Sequence, residues 1–132
     1  MLTTSQVTKW NGKLGTHIFD GDKNGGFHHR GFFSRSKSKV LKVQSLVTSG
    51  RWKGAYRAKV QIHPSGQIKN NNSFFSDSWG RSRVIKEVNE AYYDILEKSN
   101  SLGGIHVGIS KNGYSIGIFI RNKKVITVYP KF

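Results

Sequence analysis

Hydrophobic and polar residues alternate most regularly between Tyr56 and His63. The apolar members of this stretch are Tyr56, Ala58, Val60 and Ile62. Because successive side chains of a strand point to opposite faces, the alternation predicts a half-buried strand whose open face is basic. An apolar run at Val40 to Val47 predicts a preceding strand. Pro64 to Gln67 has the composition of a turn, so Ile68-Lys69 is predicted to start a returning segment.

Apolar residues at helical spacing follow Phe75. They are Val84, Ile85, Val88, Ala91, Tyr92, Ile95 and Leu96. This spacing predicts an amphipathic helix from about Trp79 to Lys98, with Ser76-Asp77-Ser78 as the source of its N-cap. The outer face of the helix is predicted to carry Glu87, Glu90, Asp94 and Glu97. The stretch Asn70 to Phe75 before it is interpreted as a polar bridge.

Three short segments of strand character end the chain. They are Ile105 to Ser110, Ser115 to Arg121 and Val125 to Tyr129. The first connection, Lys111 to Tyr114, contains the Asn-Gly pair that is typical of a tight hairpin, and Asn122 to Lys124 forms the second turn. The pattern predicts a three-stranded antiparallel meander. Together with the helix it predicts an α+β fold in which a central amphipathic helix packs against antiparallel sheet.

The last strand gives a more detailed prediction. A period of two places Val125, Thr127 and Tyr129 on one face, and Pro130 is expected to end the pairing. A chain of 132 residues is long enough for one hydrophobic core but too short for two. We therefore expect a single domain over residues 1–132.

Charge indicates the class of partner. The chain has 22 Lys plus Arg against 7 Asp plus Glu, a net charge of +15, and 12% aromatic residues. Such an excess attracts polyanions, and aromatic rings can stack on bases, so RNA or DNA is the first partner to consider. Five of the seven acidic residues lie on or next to the predicted helix, which is therefore expected to face away from the polyanion.

Other classes fit the composition less well. No apolar run approaches the about 18 residues that a membrane-spanning helix needs. The stretch Met1 to Trp10 lacks the apolar centre of a signal peptide. The chain has no cysteine, which excludes disulfides, a thiol nucleophile and a cysteine-based zinc site.

Candidate chemistry is concentrated between Thr16 and Gly31, which contain three of the five histidines and four of the fifteen glycines. The Gly-, Asp- and Asn-rich turn from Asp20 to Gly26 is expected to fold this segment back on itself and to bring His17 near His28. Two imidazoles at one substrate can form a general acid and base pair. The same pattern is compatible with a solvated surface loop or a metal site.

Three separated motifs occur in order along the chain. They are the His17 to His28 segment with Gly25-Gly26 before the second histidine, the Lys69-x-x-x-Ser73 pair ahead of an aromatic-led helix, and the terminal stretch Val125 to Lys131. Together they resemble the EndoU family of uridylate-preferring endoribonucleases. The resemblance runs from about His17 to the C-terminus. It is closer to the small bacterial EndoU domains than to the coronavirus endoribonuclease, and it implies a two-sheet catalytic domain similar to that of ribonuclease A.

The resemblance also implies a reaction. Family members cleave single-stranded RNA at uridines through the 2′-hydroxyl, without a required metal, and leave 2′,3′-cyclic phosphate and 5′-hydroxyl ends. By this resemblance His17 is the general acid that protonates the leaving 5′-oxygen, and His28 is the base that takes the 2′-hydroxyl proton. Lys69 is the cation that stabilises the transition state. The roles of the two histidines are exchangeable at this point.

Substrate-binding residues are implied in the same way. Ser73 or Thr127 resembles the hydroxyl residue that reads uracil, and Tyr129 resembles the tyrosine that packs on the ribose. Each has a purely structural alternative. Ser73 is also suited to capping a turn, Thr127 to filling a strand and Tyr129 to packing in a core.

Alternatives exist for the catalytic residues as well. His29 stands beside His28, but the Gly-Gly-Phe-His spacing favours His28. Lys59, on the open face of its strand, is the alternative to Lys69. The remaining histidines are expected to be ordinary surface or strand residues: His63 and His106.

The resemblance implies RNA as partner and no required cofactor, although manganese stimulates some members. Asp20 and Asp22 are the candidate carboxylates for such an ion. We expect a monomer that acts in a cytoplasm, either as a free-standing enzyme or as a delivered toxin module with a cognate immunity protein.

Two other functions are compatible with the sequence. Gly25 to His29 also resembles the catalytic strand end of metal-dependent His-Asn-His nucleases, but the predicted helix has no histidine that could supply a metal ligand. A non-catalytic RNA-binding module would need only the charge and the aromatic residues.

Overall fold

The computed structural model describes residues 17–21, 26–30, 36–99, 103–122 and 124–132. These residues form two three-stranded antiparallel sheets and an 18-residue helix, with a further helical turn at residues 17–19. The elements are β1 (Lys39–Leu46), β2 (Tyr56–Ile62), β3 (Gln67–Phe74), α1 (Arg81–Lys98), β4 (Gly104–Ile109), β5 (Ser115–Arg121) and β6 (Lys124–Pro130). The predicted α+β class is confirmed.

The first sheet has the order β1-β2-β3. The apolar residues of β2 are buried, as the alternation predicts, and pack with Phe27 and Phe74. The interpretation of the Asn-rich stretch as a polar bridge is wrong, because this stretch forms most of β3 and pairs with β2. Pairing with a buried neighbour outweighs the low strand propensity of asparagine. The positive φ of Asn71, 55°, marks a bulge in β3, and asparagine tolerates this conformation well.

The second sheet is the predicted meander, with the order β4-β5-β6, and α1 packs on one of its faces. That face buries Ile116, Ile118, Ile120 and Val128. The helix lies against the sheet at Gly108. A Cβ at this position would overlap the carbonyl oxygen of Ala91 and lie 3.0 Å from Cγ1 of Ile95. Glycine at this position therefore lets the helix lie directly on β4.

A bulge in the last strand changes the face to which its first side chains point. The pairing of β5 with β6 shifts by one residue and leaves Ile126 without a partner. As a result Val125 packs against the helix-side core, whereas Thr127 and Tyr129 lie on the opposite face. The prediction that all three share a face is wrong for Val125, because an extra residue reverses the alternation. Pro130 is the last paired residue of β6 rather than the residue that follows the strand.

The helix begins at Arg81, two residues later than predicted, and its N-cap is Gly80, which makes no side-chain capping bond. The residues that were expected to cap the helix form other hydrogen bonds. The Ser78 N–H donates to the Ser76 hydroxyl over 3.2 Å, and the Asp77 carboxylate binds the side chains of an arginine and a tyrosine outside the helix. These residues form a turn ahead of the helix. No helix within the described ranges is long and apolar enough to cross a membrane.

The acidic residues of α1 do not form the predicted outer face. Glu87 is fully buried and accepts a 2.6 Å hydrogen bond from Nδ2 of Asn112. Glu90 and Asp94 accept hydrogen bonds from backbone N–H groups at the β4–β5 hairpin, at 3.2 and 2.9 Å. Glu97 alone among the four is exposed. Burial of Glu87 is tolerable because its carboxylate is hydrogen-bonded.

Candidate active site

The two sheets meet where β3 lies beside β6. At this junction, Nη2 of Arg57 donates a 2.8 Å hydrogen bond to the carbonyl oxygen of Phe132, just beyond β6. The predicted site residues come from both sides of the junction. Lys69 and Ser73 belong to β3. Thr127 and Tyr129 belong to β6.

The His17 segment folds back as predicted. The N–H of Phe27 donates to the carbonyl oxygen of His17 over 2.7 Å, and the N–H of His28 donates to that of Ile18 over 2.7 Å. Gly26, at φ +84°, makes this return possible, since a Cβ there would lie 2.9 Å from Cδ2 of the His17 ring. His17 is buried, with 8% of its surface exposed.

Residues 26–30 then run along β3. The carbonyl oxygen of His28 accepts a 2.9 Å hydrogen bond from the N–H of Phe75. Nδ2 of the buried Asn72 donates to the carbonyl oxygens of Gly26 and Phe27, at 3.1 and 2.7 Å. Asn72 therefore fixes the backbone that carries His28. Sequence reasoning missed this residue, because an asparagine within a polar run gives no signal of burial.

His28 has a defined tautomer. Its Nδ1 lies 2.7 Å from the carbonyl oxygen of Ser73, and a carbonyl can only accept, so the hydrogen is on Nδ1 and Nε2 keeps a lone pair. Burial lowers the pKa of His28 to about 4, against the opposing effect of the Ser73 bond, and the positive charges of Lys69 and His17 contribute to the lowering. His28 is thus neutral at pH 7.

The electrostatic coupling also shows which lysine is near the histidines. Lys69 is opposite Val60 in the β2–β3 pairing, on the face of the sheet that residues 26–30 cover. Lys59 is opposite Lys42 on the other face. The lysine whose charge acts on His28 is therefore Lys69, and Lys59 lies on the opposite face of the sheet.

The predicted substrate-binding residues occupy different environments. Oγ of Ser73 lies 3.3 Å from Nδ1 of His28. The Tyr129 ring lies 6.2 Å from the His28 ring, between centroids, on the face of β6 away from the isoleucine core. The Oγ1 atom of Thr127 is shielded from solvent and makes no hydrogen bond within the described part of the chain. Ser73 and Tyr129 thus adjoin His28, whereas the Thr127 hydroxyl is covered.

His29 is placed apart from this group. Its Nε2 donates a 2.7 Å hydrogen bond to the carbonyl oxygen of Trp79, and its ring meets Phe19 edge-on at 5.5 Å. Burial lowers the pKa of His29. This histidine supports the segment ahead of α1. The other two histidines lie outside the site, His63 in the exposed turn after β2 and His106 on β4.

Among the residues that the structure describes, no three His, Asp or Glu side chains lie close enough together to hold a metal ion. The backbone carbonyl of Asp20 accepts hydrogen bonds from the hydroxyls of Ser36 and Ser38. Asp22 lies outside the described residues, so the Asp20–Asp22 pair stays a prediction.

Where the two antiparallel sheets join, the charges of Lys69 and His17 act on His28. The family model of the bacterial EndoU nucleases matches residues 11–131. The chain therefore belongs to the bacterial EndoU nuclease family, as the resemblance of its motifs predicts.

A solved structure shares this fold. It is the endoribonuclease Nsp15 encoded by Middle East Respiratory Syndrome Coronavirus, with a TM-score of 0.53 and 13% sequence identity. The match covers 95% of this chain and 36% of the Nsp15 chain, so this chain spans little more than a third of that protein. At this level of identity the likeness shows a common fold. No curated protein sequence matches the chain significantly.

Proposed function

We propose that the protein is a metal-independent endoribonuclease that cuts single-stranded RNA on the 3′ side of uridines. The family is one of nucleases, and the solved structure with this fold is named an endoribonuclease. The observation that carries the proposal is the hydrogen bond of His28. Its Nδ1 lies 2.7 Å from the Ser73 carbonyl oxygen, which leaves Nε2 as the acceptor, and the charges of Lys69 and His17 help to lower its pKa.

In the proposed reaction, Nε2 of His28 takes the proton of the 2′-hydroxyl, and the 2′-oxygen attacks the adjacent phosphorus. The bond from phosphorus to the 5′-oxygen breaks, and His17 donates a proton to that oxygen. The products are a 2′,3′-cyclic phosphate and a 5′-hydroxyl. A histidine with a pKa of about 4 is deprotonated at pH 7, so it can accept a proton but has none to donate from Nε2. The protonation state of His28 therefore supports its role as the base and leaves the role of acid to His17.

Lys69 is proposed to stabilise the negative charge that grows on the phosphoryl oxygens in the transition state. A fixed charge in a shielded site is effective because it needs no reorganisation as the reaction proceeds. This role is supported by the effect of the Lys69 charge on His28, whose pKa it helps to lower.

Ser73 is the better supported of the two candidates for reading uracil. The Nδ1 hydrogen of His28 is directed to the Ser73 carbonyl. The Ser73 hydroxyl can therefore donate its hydrogen to a uracil that is bound next to His28. The covered hydroxyl of Thr127 would first have to be exposed. The position of the Tyr129 ring beside the His28 ring supports its proposed packing on the ribose.

The proposal is tested with a short uridine-containing RNA, with and without EDTA, followed by mass analysis of the ends. We expect EDTA-resistant cleavage with cyclic phosphate ends. His17→Ala, His28→Ala and Lys69→Ala should each lower the rate, by roughly 10²–10⁴-fold for the histidines, while RNA binding persists. An analogue with a 2′-deoxy sugar at the scissile uridine should not be cut. Equal cleavage of that analogue would refute the mechanism.

EDTA-sensitive cleavage would favour the His-Asn-His mechanism, and binding without cleavage would favour an RNA-binding module. Action in a cytoplasm, as a monomer or as a toxin module with an immunity protein, is also a proposal, and it is supported by the family resemblance alone.

A further inference from the structure

The first sheet has a cationic face on the side away from the Phe27 cluster. In the β1–β2 pairing, Lys42 is opposite Lys59, and the next pairs on the same face contain Lys39, opposite Gln61, and Arg57, opposite Ser45. Residues opposite each other in an antiparallel pair share a face, and the positions of β2 between these cations are buried on the other side. We define the cationic face as the surface formed by Lys39, Lys42, Arg57 and Lys59.

The centre of this face is electrostatically unfavourable. Lys42 and Lys59 are direct cross-strand partners, and like charges in this arrangement are destabilising. In the described ranges, neither lysine forms a salt bridge. The acidic partners of the salt bridges there are Asp77, Glu87, Glu90 and Asp94, which pair with other cations. A bound anion would remove the repulsion between the two ammonium groups.

The face leads to the candidate active site. Arg57 is opposite Ser73 in the β2–β3 pairing, and Ser73 contacts His28. The Arg57 guanidinium lies 4.5 Å from the ring centroid of Phe132, at the junction of the sheets. Residues i and i+2 of a strand share a face and are about 7 Å apart, so Lys59 lies about that distance beyond Arg57 on the same face of β2.

We infer that the cationic face binds the phosphates of the RNA that flanks the scissile nucleotide, and that Lys42 and Lys59 together hold one of them. The inference rests on the proposed function, because it concerns the substrate of that site. Single-stranded RNA is the partner that fits, since it has a phosphate at every nucleotide. An RNA strand bound at Ser73 would extend from there across the cationic face. Such contacts give affinity without reading sequence.

The test compares two double variants. Lys42→Gln/Lys59→Gln removes the central pair. Lys111→Gln/Lys124→Gln removes the same charge from exposed positions in the β4–β5 turn and at the start of β6. Each variant and the parent are assayed on a uridine-containing dinucleotide and on an oligonucleotide of about 12 nucleotides, within the site sizes of single-strand binders. Affinity for the same oligonucleotide with a 2′-deoxy scissile sugar is measured as a function of salt.

We expect the Lys42/Lys59 variant to bind the long RNA more weakly. The slope of log affinity against log salt should become shallower by about 0.7 for each phosphate that the variant no longer neutralises. Its rate on the dinucleotide should equal that of the parent. The Lys111/Lys124 variant should keep the parental slope.

Equal slope changes in both variants would show an effect of net charge and overturn the inference. An equal reduction of the rate on the dinucleotide would place the lysines in the reaction site and overturn it as well. If the parent cuts neither RNA, the proposed function fails, while the binding data on the deoxy analogue still test the cationic face.

Stability provides an independent measurement. Lys42→Gln should raise the thermal midpoint of the RNA-free protein at low salt, and the gain should shrink at high salt, where the repulsion is screened. A lowered midpoint at low salt would contradict the unfavourable pairing on which the inference depends.

Discussion

Tyr129 covers Gly117, its partner on the neighbouring strand, so closely that a Cβ on Gly117 would lie 2.6 Å from Cε1 of the ring. The missing side chain lets the ring lie against the sheet, next to the ring of His28. Gly117 therefore sets the position of an aromatic ring in the candidate site. Nothing in the sequence around Gly117 indicates this role.

We predict that Gly117→Ala lowers the cleavage rate by roughly 10²-fold, because a displacement of about 1 Å in the site can have that effect. The affinity and the melting temperature should change less than the rate. Tyr129→Phe is the control and should keep most activity, since it retains the ring. Parental activity in Gly117→Ala would show that the position of the ring does not matter.

The low pKa of His28 predicts a pH dependence. If His28 is the base, kcat/KM should stay high as pH falls below 6.5 and decline only towards pH 4. Stability follows the same group. Because the unfolded state has a pKa of about 6.5, it binds more protons between these values, so this contribution to stability is present above pH 6.5 and is lost as pH falls to 4.

Rate profiles and urea titrations across this range, for the parent and for His28→Gln, check both statements. Between pH 6.5 and pH 4, the free energy of unfolding should decrease less in the variant than in the parent. A fall of kcat/KM on the acid side with a midpoint near pH 6.5 in the parent would argue against His28 as the base.

His29→Ala should act on stability rather than on catalysis. It removes the hydrogen bond to the Trp79 carbonyl and leaves that buried acceptor unpaired, at a cost of about 1–3 kcal/mol. The rate of the folded variant should stay within about tenfold of the parent. Thermal unfolding and single-turnover rates separate the two effects. An inactive His29→Ala together with an active His28→Ala would reverse the assignment.

Asn72→Ala should lower both stability and rate. Its amide is buried, and the substitution leaves two carbonyl groups of the His28 segment without their donor, at about 1–3 kcal/mol. Asn72→Asp should be worse, because a carboxylate has no hydrogen to donate. Exposed Asn70→Ala is the matched control in the same strand. Equal rates in all three variants would show that Asn72 does not position His28.

Base preference distinguishes Ser73 from Thr127. Ser73→Ala should reduce the preference for uridine over cytidine, with each missing hydrogen bond contributing about 1–3 kcal/mol at most. Thr127→Val should leave the preference closer to that of the parent, because its hydroxyl is covered. Rates on oligonucleotides that differ only at the scissile base decide between them. A change in Thr127→Val alone would identify threonine as the reader.

Local patterns accounted for much of the fold. Helical spacing located α1, alternation located β2, and turn residues located the meander and the return of His17 to His28. The pattern failed where a distant partner decides the structure. The Asn-rich strand β3 exists because β2 pairs with it, and the bulge at Ile126 depends on the register with β5.

The same limit applies to the site. Local turn chemistry was enough to expect His17 near His28. Lys69, Ser73 and Tyr129 came from the family resemblance, since spacing alone does not relate them to the histidines. Asn72 and Gly117 were missed because each acts on a segment far away in sequence.

The division of the site between two sheets has a consequence for the folding of the chain. Each sheet consists of neighbouring strands and can form from pairings that are short along the sequence, whereas His28 meets Tyr129 only when β3 comes to lie beside β6. Contacts between distant segments form slowly because long loops must close first. During refolding, circular dichroism should therefore recover before catalysis, and the return of activity measures the docking of the two sheets.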